Sequence, residues 1–149
     1  MLRPDVLLVI DPAAAGDAPA LLELLAANAL PQDGFVDHLD TALVARLDGA
    51  IVGCAALEVY GDGALLRSVA VDARFTARGI GTELTSSALR LAGTLDVPAV
   101  YLLTTTAEGF FPKFGFERVT RDDVPAGVKT SVEFRLACPA SAVVMRRFV

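Results

Sequence analysis

The fold is decided by Leu65-Leu66-Arg67-Ser68-Val69-Ala70-Val71, followed by Asp72 to Phe75 and then Thr76-Ala77-Arg78-Gly79-Ile80-Gly81-Thr82-Glu83-Leu84. An aliphatic strand ends, an Arg- and Gly-bearing loop turns, and a helix begins. The first N–H groups of a helix lack internal partners and carry partial positive charge, so such a junction attracts phosphate. Gly79 and Gly81 let the backbone approach an anion with no Cβ in the way. A P-loop is excluded, because Gly-Lys-Ser/Thr is absent. A dinucleotide fingerprint is excluded too, since it needs a third glycine and a βαβ unit at the chain start.

Upstream, Ala42–Leu47, Ile51–Tyr60 and Ala64–Val71 read as three strands. Asp48-Gly49 and Gly61-Asp62-Gly63 join them, and Asp-Gly is a strong hairpin signature. Before them, Val6–Ile10 reads as a strand that Asp11-Pro12 closes, with Asp11 capping a helix. Leu21, Leu22, Leu24, Leu25 and Leu30 give that helix one apolar face, Pro31 and Gly34 end it, and Phe35–Leu39 reads as a short second helix. Downstream, a helix over Thr82–Ala92 precedes a buried strand, Ala99–Leu103. A short helix over Ala107–Phe114, a strand over Phe116–Val119, a loop or ragged helix over Arg121–Thr130 and a last strand over Ala142–Phe148 complete the order.

The 149 residues fit one domain, 1–149, with 54% hydrophobic and 21% charged residues. The net charge of −5 and the lack of a Lys/Arg stripe argue against a nucleic-acid partner. The apolar runs fall short of the roughly 20 residues that span a membrane. No leader is evident, so the cytoplasm is the expected location. Cys54 and Cys138 are expected to stay reduced, and with a single histidine they complete no metal site.

The segments Val69-Ala70-Val71, Gly79-Ile80-Gly81 and Phe111-Pro112-Lys113-Phe114-Gly115-Phe116 together resemble the GNAT acetyltransferase superfamily. The order of elements follows that fold over nearly the whole chain, although the family's Gln/Arg falls on Thr76. A narrower resemblance lies in Gly53-Cys54-Ala55-Ala56-Leu57-Glu58-Val59-Tyr60-Gly61, Leu65-Leu66-Arg67-Ser68, Tyr101-Leu102-Leu103-Thr104-Thr105-Thr106, Glu133-Phe134 and Cys138-Pro139-Ala140-Ser141-Ala142. These are similar to the arsenic-resistance N-acetyltransferases, a group itself similar to the acetyltransferase domain of N-acetylglutamate synthase. The resemblance implies an α/β (α+β) fold with a mixed, mostly antiparallel sheet flanked by helices. It implies acetyl-CoA as donor and a small amino-acid-like amine as acceptor, one that carries an arsenical or phosphinic group in the narrower reading. Glutamate is the alternative acceptor, and a catalytically idle acyl-CoA-binding or regulatory module is the alternative function. A homodimer is left open.

The same resemblance assigns Thr76, Ala77, Arg78, Gly79, Ile80, Gly81 and Thr82 to the donor's pyrophosphate. The backbone of Val71 goes to the pantetheine, and the backbone N–H of Val69 to the thioester carbonyl. The family's usual glutamate base falls on Arg67, and its usual tyrosine acid falls on Phe111, which is left to wall the thioester. A guanidinium fits a carboxylate bidentately, so Arg67 is read as the clamp for an amino-acid acceptor. With Asp62-Gly63 as the hairpin loop, Glu58 falls opposite Arg67, to orient it, to take the amine proton through water, or as a plain cross-strand ion pair. Thr105 and His38 are the remaining candidate acceptor contacts. The Thr105 hydroxyl suits pantetheine as well as acceptor, and strand propensity alone also accounts for a threonine there. A lone histidine is more often an ordinary surface or capping residue.

Overall fold

The computed structural model describes residues 7–137 and 141–149. Seven strands hydrogen-bond in the order β1-β2-β3-β4-β5-β7-β6: β1 Leu8–Pro12, β2 Ala42–Leu47, β3 Ala50–Tyr60, β4 Gly63–Val71, β5 Ala99–Thr104, β6 Glu117–Val119 and β7 Val143–Phe148. The two long helices are α1, Ala18–Ala27, and α2, Ile80–Thr94. The expected mixed and mostly antiparallel sheet is present. Its β4–β5 pairing is parallel, Ala64 with Val100 and Leu65 with Tyr101, which demands a crossover that α2 supplies.

The chain forms two compact units. One comprises residues up to Ala56 together with Ser68–Ala88. In it, Leu21, Leu25 and Phe35 are buried against Ala42, Val44, Cys54, Ala56 and Ala70. The other comprises Leu57–Arg67 and Leu89–Val149, with Leu65, Ala99, Tyr101, Val124, Val128 and Val144 at its centre.

Four local expectations need correction. Asp11 and Pro12 do not open a helix; they continue β1, opposite Val44 and Leu43. β1 lies at the sheet edge, where the missing proline N–H removes no ladder bond. The helix starts later, with Asp17 as its N-cap residue and Arg46 paired to the Asp17 carboxylate at 2.8 Å. It also ends before Leu30. Ala29 takes φ 54, while Leu30 N donates to Leu25 O and Ala29 N to Ala26 O. That is a Schellman stop built without glycine, so no residue type announced it.

The second hairpin turns on Gly61-Asp62, because Gly63 already belongs to β4. A Cβ at Gly63 would stand 3.1 Å from Val128 and 3.2 Å from Tyr101, so packing rather than turning explains that glycine. The first hairpin is as expected: Asp48 and Gly49 take φ 51 and 84, the type I′ combination. Ala107–Phe114 is helical only over Phe111–Phe114, as a 3₁₀ turn. Arg121–Thr130 holds two further 3₁₀ turns, and an unexpected π-helical turn covers Glu133–Ala137.

Candidate active site

The end of β4 leads into the candidate phosphate loop. Ser68 has φ 59 inside the strand, a left-handed backbone that non-glycine residues seldom adopt. Its carbonyl accepts from Cys54 Sγ at 3.2 Å, and burial pushes the Cys54 thiol up to about 12. Val69 and Val71 come next on the strand, both half-buried. Asp72 N then donates to Val52 O at 2.8 Å, fixing the strand's exit. The Asp72 carboxylate accepts from Arg74 N at 2.9 Å and pairs with its guanidinium. Those Arg74 hydrogen bonds pull the Asp72 carboxyl down to about 2.

Beyond this 3₁₀ turn, Thr76, Ala77, Arg78 and Gly79 are exposed. Ala77 and Gly79 both have positive φ, 63 and 79, turning the chain abruptly into α2. Glu83 N donates to Gly79 O at 3.0 Å, so Gly79 accepts an opening bond of the helix. The amides of Ile80, Gly81 and Thr82 therefore lie in the first turn, where no i−4 carbonyl exists. Nothing lies within 4 Å of where a Gly79 Cβ would point, so the backbone there is open to a ligand. Arg74 and Arg78 each hold their guanidinium 5.5 Å from the Phe75 ring centre, which adds positive charge beside the helix start.

In the second unit, Arg67 gathers two carboxylates. Its Nη1 meets Glu58 Oε2 at 2.8 Å, and its Nε meets Glu133 Oε2 at 3.2 Å. The three side chains are 0%, 1% and 5% exposed. Glu58 lies on β3 and Arg67 on β4, the two arms of the second hairpin. The contact forms although the loop differs from the expected one. Tyr60 Oη donates to Glu58 Oε1 and bonds Ser131 and Thr130. Burial first, and the Glu58 carboxylate second, raise the Tyr60 phenol well above its ordinary range.

The remaining expected residues lie on other segments. His38 interrupts the 3₁₀ segment Val36–Thr41 with φ −117 and ψ 23, and its carbonyl accepts from Thr41 Oγ1. Thr105 is exposed just after β5. Phe111 is buried, its ring edge-on to Phe110 at 5.0 Å and to Phe116 at 5.8 Å. Cys138 lies outside the described residues. Glu133 and Tyr60 were not expected in the cluster. Both stood in the stretches that carry the narrower resemblance, but no spacing rule brings Glu133 to a strand 66 positions earlier. Among the described residues no group of three or more His, Cys, Asp or Glu is placed to hold a metal, and no helix is long and apolar enough to cross a membrane.

Along the chain Arg67, the positive-φ Ser68, the exposed loop 76–79 and the start of α2 follow one another. The model for the acetyltransferase (GNAT) domain matches residues 38–118, more than half of the chain, and the chain belongs to that family. A protein of Chlorobaculum tepidum described as an uncharacterized N-acetyltransferase is 29% identical over 116 residues, 75% of this chain and 74% of its own length. The amino-acid acetyltransferase of Mycobacterium tuberculosis is 39% identical over 83 residues, 55% of this chain but 47% of its own length. A M. tuberculosis structure in complex with CoA and NLQ superposes with a TM-score of 0.80 at 28% identity, covering 95% of this chain and 99% of the other. N-acetylglutamate synthase from Neisseria gonorrhoeae shares the fold, with a TM-score of 0.81 at 20% identity over 95% of this chain and 35% of that one. The chain is thus an N-acetyltransferase with acetyl-CoA as its donor. Its own loop fits that molecule: an open left-handed glycine, unpaired helix amides and two arginines suit a pyrophosphate.

Proposed function

We propose that residues 1–149 form one cytoplasmic acetyltransferase domain that acetylates the amine of a small amino-acid-like acceptor. The carrying observation is Arg67, buried with Glu58 at 2.8 Å and two residues before Val69 on β4. Acetyl-CoA supplies the activated acyl group. The amides from Thr76 to Thr82 hold its pyrophosphate, the Val71 backbone its pantetheine arm, and the Val69 N–H the thioester oxygen. Phe111 walls the thioester, while Thr105 and His38 contact the acceptor. Arg67 takes the acceptor's carboxylate through its planar fork. Glu58 orients Arg67 and receives a proton as the amine attacks, relayed through water. A leaving thiol of ordinary acidity, near pKa 8.5, departs without a dedicated acid.

The finer reading is an acceptor with an arsenical or phosphinic side group. The 39% identity to an amino-acid acetyltransferase favours a second reading, an ordinary amino acid such as glutamate. Release of free thiol from acetyl-CoA, followed over a panel of L-glutamate, L-glutamine, other amino acids, a phosphinic amino acid and an arsenical one, separates them. Turnover with a carboxylate-bearing amine is the expected result. Binding of acetyl-CoA without turnover across the panel would replace the enzyme reading with an idle acyl-CoA-binding module.

A further inference from the structure

Arg67 is held by two acids that are mounted differently. Glu58 stands on β3, inside the hairpin that also carries Arg67. Glu133 opens the π-helical turn Glu133–Ala137, on the segment between β6 and β7. Turns of that kind are rare and concentrate at functional sites. Glu133 N donates to Ser131 Oγ at 3.2 Å, and Arg135 N to Ser131 O at 3.0 Å. Tyr60 bonds Ser131 and Thr130, tying the same segment to the hairpin a second time. This stretch is thus laced to the hairpin by polar side chains, and an arriving carboxylate can replace a side-chain carboxylate like for like.

We propose that Glu133 is a specificity-determining residue, an internal stand-in whose carboxylate holds the Arg67 Nε edge until the acceptor's carboxylate displaces it. This rests on Arg67 being the acceptor's clamp. An amine without a carboxylate leaves the Arg67–Glu133 bond in place and gains nothing from Arg67. A carboxylate-bearing acceptor exchanges with Glu133, so its apparent affinity is its affinity for Arg67 reduced by the competitor. Glu133 acts on acceptor binding through Arg67 and does not touch the reacting atoms.

The test is calorimetric binding of L-glutamate and L-glutamine to the CoA-loaded protein, in wild type, Glu133→Gln and Arg67→Met, with KM and kcat measured for the better acceptor. Arg67→Lys keeps the charge should the Met variant not fold. Glu133→Gln keeps the shape and removes the competing charge. It is expected to tighten binding and lower KM about fivefold, with kcat within about twofold, and to leave KM for an amine lacking a carboxylate unchanged. A merely structural Glu133 would lower thermal stability without that KM gain. If Arg67 variants abolish binding while Glu133→Gln matches wild type, the stand-in role falls and the clamp survives. If the Arg67 variants bind as wild type does, the clamp falls and the inference with it. Absence of binding to all of these proteins overturns both.

Discussion

Arg67 Nη1 and Glu58 Oε2 meet at 2.8 Å with neither side chain more than 1% exposed. A buried pair of this kind is weak evidence for stability, because desolvation offsets the attraction. Breaking it is another matter. Arg67→Met leaves Glu58 and Glu133 buried against an apolar chain, and a loss of about 3–5 kcal/mol is expected. Activity with a carboxylate-bearing acceptor should fall by roughly one to two orders of magnitude in kcat/KM, as for loss of a charge-assisted contact. Acetyl-CoA affinity should change little, since its contacts are backbone amides. Adding Glu58→Gln and Glu133→Gln to Arg67→Met should restore much of the thermal stability and none of the acceptor preference. Recovery of both would make the cluster a structural feature only.

Gly79 combines φ 79 with open space where its Cβ would lie. Valine there is strained by the left-handed backbone and shields the amides at the start of α2. Gly79→Val, and likewise Gly81→Val, should weaken acetyl-CoA binding at least about tenfold, roughly 1.4 kcal/mol, by calorimetry. Gly93→Ala is the control, in the same helix with nothing within 4 Å. It should stabilise the fold by about 0.5–1 kcal/mol with affinity unchanged.

The strand–loop–helix junction was legible because its signals are local: an aliphatic run, two glycines and an amphipathic helix close together in the chain. The Asp48-Gly49 turn was legible for the same reason. Three features were not. Ala29 ends α1 in a left-handed conformation that glycine usually takes, so composition pointed past it to Leu30. Gly63 looked like a turn residue, although its place is set by Val128 and Tyr101 packing from far along the chain. The second acid on Arg67 comes from a π-helical turn that no periodicity encodes. Glu58 was legible because it shares a hairpin with Arg67.

Cys54 Sγ donates to Ser68 O at 3.2 Å inside the core, and burial holds its thiol near 12 against an ordinary 9.0. Being raised, this pKa costs nothing below about pH 9. Between about 9 and 12 the unfolded chain loses the proton and the folded one keeps it, so stability falls as pH rises, by up to about 1.4 kcal/mol per unit. Urea midpoints from pH 8 to 11 should decline more steeply for the native sequence than for Cys54→Ala. In a Cys138→Ser background a thiol reagent at pH 8 should react only as fast as the protein unfolds. Rapid labelling of the folded protein would mean Cys54 is reachable.

Gly53 on β3 packs beneath the first turns of α2. A Cβ there would stand 2.9 Å from Ala70 O, 2.9 Å from Leu84 Cδ1 and 3.3 Å from Ile80 Cγ2. The leucine methyl can swing aside, but the Ala70 carbonyl is backbone and cannot. Ile80 is the first residue of α2, so any relief that moves the helix also moves the amides of the phosphate loop. Gly53→Ala should therefore cost about 1–3 kcal/mol, as overpacking does, and lower acetyl-CoA affinity several-fold. Leu84→Ala alone leaves a cavity, at about 2–5 kcal/mol. The two together should cost less than their sum, because the new methyl takes part of the vacated space. The affinity loss should persist in the double variant if the Ala70 carbonyl is the decisive obstacle, and disappear if Leu84 is. Lowered stability with wild-type affinity in both would show that the helix start is insulated from the packing beneath it.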